Sequence, residues 1–121
     1  KYYEATISSR GERLEHFTAL GTAVSRMCRD PLIDYGRKAM EDHRKGLCTY
    51  EVEQVVLAIV VTTGIASIFL TRDFTPDYNS GLAHAVFYAL TSYPVIEERH
   101  LHGEVVAFGV LLALLADEQY E

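Results

Sequence analysis

Within the first thirty residues, Leu14, Phe17, Leu20, Val24 and Met27 recur at intervals of three and four, which lays them on one side of a helix. Asp30-Pro31 then reads as a restart, because Asp can cap the free amides of a new helix and Pro is tolerated at its first position. The second helix is expected to end at Arg44 or Lys45, with a basic last turn of His43, Arg44 and Lys45 and with Gly46 in the left-handed conformation. Thr49 offers the next N-cap, followed by Glu51 and Glu53 in a favourable acidic first turn. Tyr50 to Leu70 is too long for one strand although Val55 to Val61 is rich in β-branched residues, so length decides for a helix. A helix apolar on all sides is normally the buried centre of a bundle. Thr71 to Ser80, with Pro76 and Asn79, reads as a loop. A fourth helix is expected from about Ser80 to Thr91, a loop from Ser92 to Leu101 containing Pro94, and a fifth helix from His102 or Gly103 to about Ala116. The pattern therefore predicts an all-α fold, a bundle of about five helices with a central apolar helix.

Composition narrows the partners. The chain has 121 residues, 49% apolar and 23% charged, with a formal net charge of −6. That length suits one hydrophobic core and one domain. The acidic balance, with basic residues scattered, argues against nucleic acid or an anionic membrane as the main partner. Cys28 and Cys48 stand alone without a Cys-x-x-Cys spacing and read as core thiols of a protein from a reducing cytoplasm. No secretory signal is visible, and the start at Lys1 without a Met and the stop at Glu121 read as cut ends. Val55 to Leu70 is apolar apart from Thr62, Thr63, Gly64 and Ser67, and its 16 residues fall short of a bilayer span. A span needs about 20 residues, so a buried helix is the expectation.

No Gly-x-Gly-x-x-Gly, no phosphate-binding loop and no Gly-x-Ser-x-Gly elbow occurs. The informative segments are GLAHA (Gly81 to Ala85) and HGEVVAFG (His102 to Gly109). Each places a His near the start of a helix, and the loop between them is long enough to bring the second helix back beside the first. His84 and His102 could then face each other, a beginning for a zinc or ferrous site, because neutral imidazole suits both metals. A catalytic zinc wants three protein ligands and an open position. A second reading stands beside this one: His84, between Ala83 and Ala85, can be a hydrogen-bonded core histidine. The small residues around His84, and Gly103 after His102, leave room for other groups to approach. His100 is a rival ligand whose loop position suggests a solvated side chain, and His16 and His43 lie among charges and are assigned to the surface.

GLAHA and HGEVVAFG, separated by a loop with Pro94, resemble the metal-binding segment of the helical domain of the glycerol dehydrogenase and iron-containing alcohol dehydrogenase superfamily, which includes dehydroquinate synthase. More faintly, KYYEA (Lys1 to Ala5) resembles the helix that follows the superfamily's Gly-Asp metal-ligand motif, and Leu32 to Met40 resembles a further stretch of glycerol dehydrogenases. The resemblance implies a truncated dehydroquinate synthase-like helical domain, with residues 1–121 forming part of the metal-binding half. It implies His84 and His102 as ligands to Zn2+ or Fe2+, a third ligand, an Asp, upstream of Lys1, and an NAD(P)-binding domain that is absent from this chain. Larger iron-dependent members carry a further His four residues after the one matching His84. Tyr88 stands there instead, so the resemblance points to the glycerol dehydrogenase-like branch. Dehydroquinate synthases share the HGE-x-VA-x-G pattern but carry a Gly-His-Thr segment before the first His that is missing here.

The implied chemistry is alcohol oxidation: the metal lowers the pKa of a substrate hydroxyl and a hydride passes to the nicotinamide. Glu104 reads either as support for a ligand or as favourable charge in a first helical turn, the latter preferred, and Tyr88 as a pocket residue or a core residue. The expected partners are a small alcohol or polyol and further copies of the same protein, in the cytoplasm, with no nucleic acid or membrane. The isolated chain is expected to be inactive. Two alternatives remain, a dehydroquinate synthase-like metal-dependent lyase and a non-catalytic helical assembly domain.

Overall fold

The long amphipathic and apolar runs fold as helices. The computed structural model describes residues 1–71 and 78–118. Among the described residues there is no strand and there are six helices: α1 (Tyr2–Ser8), α2 (His16–Arg44), α3 (Tyr50–Leu70), α4 (Leu82–Thr91), α5 (Pro94–Glu97) and α6 (His102–Glu118). The fold is all-α, as the periodicity predicts. Residues 72–77 of the expected loop lie outside the described residues.

Two differences arise in the first half of the chain. Residues 1–30 do not form one helix, because α1 ends at Ser8 and α2 starts only at His16. Nor does Asp30-Pro31 restart anything, since α2 runs unbroken through Pro31 to Arg44. Asp30 is engaged elsewhere: it accepts hydrogen bonds from Arg26 at 2.9 Å and from Arg29 Nε at 2.8 Å and so does not cap. Pro31 is buried, and packing of the long helix outweighs the hydrogen bond its missing N–H removes.

The end of α2 follows the sequence reading. Lys45 is its C-cap, Gly46 has φ +71°, and α3 begins at Tyr50. Thr49 occupies the N-cap position, but its hydroxyl donates to Asp42 at 2.8 Å instead of accepting from an α3 amide. α3 contains a π turn at Ala58–Thr62. The extra residue brings Ala58 and Ala66 close to two whole turns apart, so that Ala58, Ala66 and Leu70 are all buried.

Burial of α3 is one-sided. Ile59, Val60, Val61 and Ile68 are exposed, and by length and composition alone the 21 residues Tyr50–Leu70 are enough to cross a membrane, so the expected shortfall in length does not hold. α2 shows a similar displacement. Its buried stripe is Thr18, Gly21, Ser25 and Cys28, while Phe17, Leu20 and Met27 beside it are exposed. Small side chains let the backbones of α2 and α3 approach, and the larger ones flank the seam, with Phe17 stacked on Phe69 at 6.1 Å. Cys28 is a core thiol as expected. Cys48 is not a core thiol: it is exposed, because it lies in the link between α2 and α3, whose residues 45–48 are all exposed.

α2 and α3 thus form one hairpin, and α4 and α6 form a second helical pair. α1 joins them, packing on α2, α4 and α6. The Arg29 guanidinium lies 4.2 Å above the Tyr2 ring, and Arg10 grips the Asp117 carboxylate with both terminal nitrogens.

Candidate metal centre

α6 buries Val105, Gly109 and Ala113 at spacings of four, and His102 lies seven residues before Gly109 on the same stripe. This is what the HGEVVAFG pattern supplies: a His two turns from a glycine, both facing the partner helix. Gly109 makes the contact possible. A Cβ there would lie 2.8 Å from the Cα and 2.5 Å from the carbonyl oxygen of Ala83. α4 is therefore held backbone to backbone against α6 at Ala83, one residue before His84.

Beside this crossing on α4 and two turns before Gly109 on α6, the imidazoles of His84 and His102 meet, their ring centroids 5.6 Å apart and their planes inclined by 47°. Phe87, one turn after His84, packs edge-on against His102 at 4.4 Å and limits where that ring can lie. His102 is exposed, while the His84 side chain is 16% exposed.

His84 is fixed from its other side by Glu4 of α1. The Glu4 carboxylate is buried, accepts the Ala83 amide at 2.8 Å and the Gly81 amide in a shorter bond, and lies 3.1 Å from His84 Nδ1. It therefore satisfies two of the free amides at the start of α4 and places negative charge at the positive pole of that helix. A Cβ at position 81 would collide with the Ser8 hydroxyl and sit 3.3 Å from Glu4 Oε2, which accounts for the glycine of GLAHA.

Sequence reasoning missed Glu4. KYYEA marks a helix, but nothing local tells that its carboxylate is buried against residues 77 to 80 positions away. A Glu set between Tyr3 and Ala5 on a short apolar helix is the only signal.

The remaining candidates fall as follows. Glu104 accepts the Leu101 amide at 3.0 Å and lies 3.5 Å from His100 Nδ1, reaching back over its own helix start, which fits the first-turn reading. His100, His16 and His43 are exposed. Tyr88 is 64% exposed, with its ring centroid 6.5 Å from that of His84, so it is no core residue and stands on the outer side of the histidines. Among the described residues no group of three or more His, Cys, Asp or Glu side chains is gathered as a metal site.

The arrangement fits part of a metal centre. Two imidazoles bound tetrahedrally to one ion at about 2.0–2.1 Å would have centroids about 5 Å apart, close to the spacing here. A carboxylate on the far nitrogen of one of them is the usual outer support of a metal-bound histidine.

Comparison with known proteins agrees with this segment's resemblance. The chain is 38% identical to a glycerol dehydrogenase of Pseudomonas putida over 101 residues, covering 80% of this chain and 24% of the relative. It is 30% identical to glycerol dehydrogenase 1 of Schizosaccharomyces pombe over 100 residues, 81% of this chain and 20% of the relative. With hydroxycarboxylate dehydrogenase A of Escherichia coli it shares 33% identity over 121 aligned positions, 98% of this chain and 32% of the relative. No family model matches, and no solved structure matches. Several glycerol dehydrogenases are similar to the chain over most of its length, which supports a place in the superfamily of glycerol dehydrogenases and iron-containing alcohol dehydrogenases. The chain spans about a fifth to a third of the length of these curated relatives.

Proposed function

We propose that this chain is part of the metal-binding helical half of an NAD(P)-dependent alcohol or polyol dehydrogenase, with His84 and His102 as two of the metal ligands. The observation that carries the reading is the facing imidazole pair at 5.6 Å, one ring held by a buried carboxylate, in a chain similar over most of its length to glycerol dehydrogenases. The third ligand, an Asp, and the nucleotide-binding domain belong to parts of the protein that precede Lys1. When bound, a divalent ion, Zn2+ or Fe2+, would supply Lewis acidity toward a substrate hydroxyl, and NAD(P) would supply the hydride-accepting chemistry. The residues of this chain do the holding. Glu4 and the α4 backbone fix His84, the Gly109 crossing and Phe87 fix His102, and Tyr88 stands beside the pair where a substrate would enter.

The uncovered apolar side of α3 supports the same reading. Exposed Ile59, Val60, Val61 and Ile68 form the kind of surface that the rest of a larger protein or a second copy covers. The named relatives are dehydrogenases, which favours alcohol oxidation over lyase chemistry.

The test is made on the full-length protein. Glycerol or a related polyol should give net formation of NAD(P)H, the purified protein should contain zinc or iron, and His84→Ala and His102→Ala should each lower kcat/KM by about a hundredfold or more. The 121-residue chain alone should show no turnover. Unchanged activity in both His variants, or phosphate release from a sugar-acid phosphate without net reduction, would sink the proposal.

A further inference from the structure

We infer that Glu4 is a positioning residue that fixes the tautomer of His84, holding the hydrogen on Nδ1 and leaving Nε2 as the lone-pair atom offered to the metal. The inference rests on the metal reading above and adds to it a role for Glu4, to which the KYYEA resemblance assigned none. Both Glu4 oxygens already receive backbone amides, Oε1 from Ala83 at 2.8 Å and Oε2 from Gly81. A carboxylate offers only acceptors, which matches two amide N–H donors and leaves a second lone pair on Oε2 for the imidazole. The third contact, His84 Nδ1 to Oε2 at 3.1 Å, is then a hydrogen bond only if Nδ1 carries the hydrogen and donates.

The geometry leaves little freedom. Glu4 is 4% exposed and Gly81 has no Cβ to push it aside, so the carboxylate is fixed between α1 and the first turn of α4. A neutral imidazole in water prefers the hydrogen on Nε2, the form that cannot ligate through that atom, and a fixed acceptor at Nδ1 reverses the choice. The same two oxygens thus cap α4 and set the state of the histidine in its first turn.

Glu4→Gln separates these roles. The amide retains one acceptor oxygen but replaces the other with a donor, so the three donors around position 4 can no longer all be satisfied. Two readouts on the full-length, metal-free protein test the inference: the 15N shifts of the His84 ring, and the dissociation constant for Zn2+ by chelator competition. The wild type should show the Nδ1–H form. Glu4→Gln should show a substantial Nε2–H population and bind Zn2+ about 10–100-fold more weakly, with its helical circular dichroism retained. A purely capping role would lower the melting temperature and leave both readouts in place. The inference fails if the folded variant keeps the wild-type tautomer and binds Zn2+ within about twofold of wild type. If the variant does not fold, the wild-type spectrum alone decides: a dominant Nε2–H form overturns the inference. A wild type with the Nδ1–H form whose Zn2+ affinity is unchanged by His84→Ala overturns the metal reading instead.

Discussion

At the scale of single residues, buried carboxylates organise both ends of the chain's helical hairpins. Asp42 is 1% exposed near the end of α2, accepts hydrogen bonds from Lys38 and Thr49, and lends its own carbonyl to the Leu47 amide at 3.0 Å. The Lys38 ammonium, then the Thr49 hydroxyl, hold its carboxyl below the usual carboxylate range. Asp42 therefore binds its proton less readily folded than unfolded, and its contribution is complete above the unfolded carboxylate pKa of about 4. As the pH falls through the depressed folded value, the contribution is lost. Asp42→Asn should be less stable than wild type at pH 7, and urea midpoints measured down to pH 2 should show the gap closing only in acid. A gap that does not change with pH would contradict the assignment. Asp42 and Glu4 differ in legibility. The i, i+4 spacing of Lys38 and Asp42 is visible in the sequence, whereas the partners of Glu4 are separated from it by most of the chain.

At the scale of elements, helix limits were legible wherever their signals are local. The Gly46 cap and the limits of α3 at Tyr50 and Leu70 fall where their sequence dictates. Pro31 does not, since a continuous α2 is held by its packing and Asp30 is taken by arginines. Buried stripes were harder to read, because hydrophobicity marks Phe17, Leu20 and Met27 while the actual α2 seam selects small side chains. The crossing of α4 and α6 obeys the same rule and gives a sharp test. Gly109→Ala places a methyl against the Ala83 backbone and should cost about 1–3 kcal/mol by chemical denaturation. Gly64→Ala is its control. A Cβ there meets nothing within 4 Å, and relief of helical glycine entropy should leave the protein as stable or more so by about 1 kcal/mol. Equal losses at both positions would show that the close crossing is not what Gly109 serves.

At the scale of the whole molecule, the candidate site belongs to no single element. The two histidines come from α4 and α6, and the carboxylate behind one of them comes from α1. The sequence shows the two motifs but not the element that joins them, because pairing of residues 4 and 84 leaves no periodic trace. This geometry has a consequence for the order of events in folding. The α2–α3 hairpin closes over the short link from Lys45 to Thr49, so its contacts cost little loop entropy and form early. The bonds from Gly81 and Ala83 to Glu4 span 77 and 79 positions and form only after a long closure. Pulse-labelling hydrogen exchange during refolding should therefore protect amides of the hairpin before those of Gly81 and Ala83, and simultaneous protection would refute that order. The seat of the histidines is then a product of folding and not its template. A chain still emerging from the ribosome could complete the hairpin with Glu4 already made and waiting for the α4 segment that it holds.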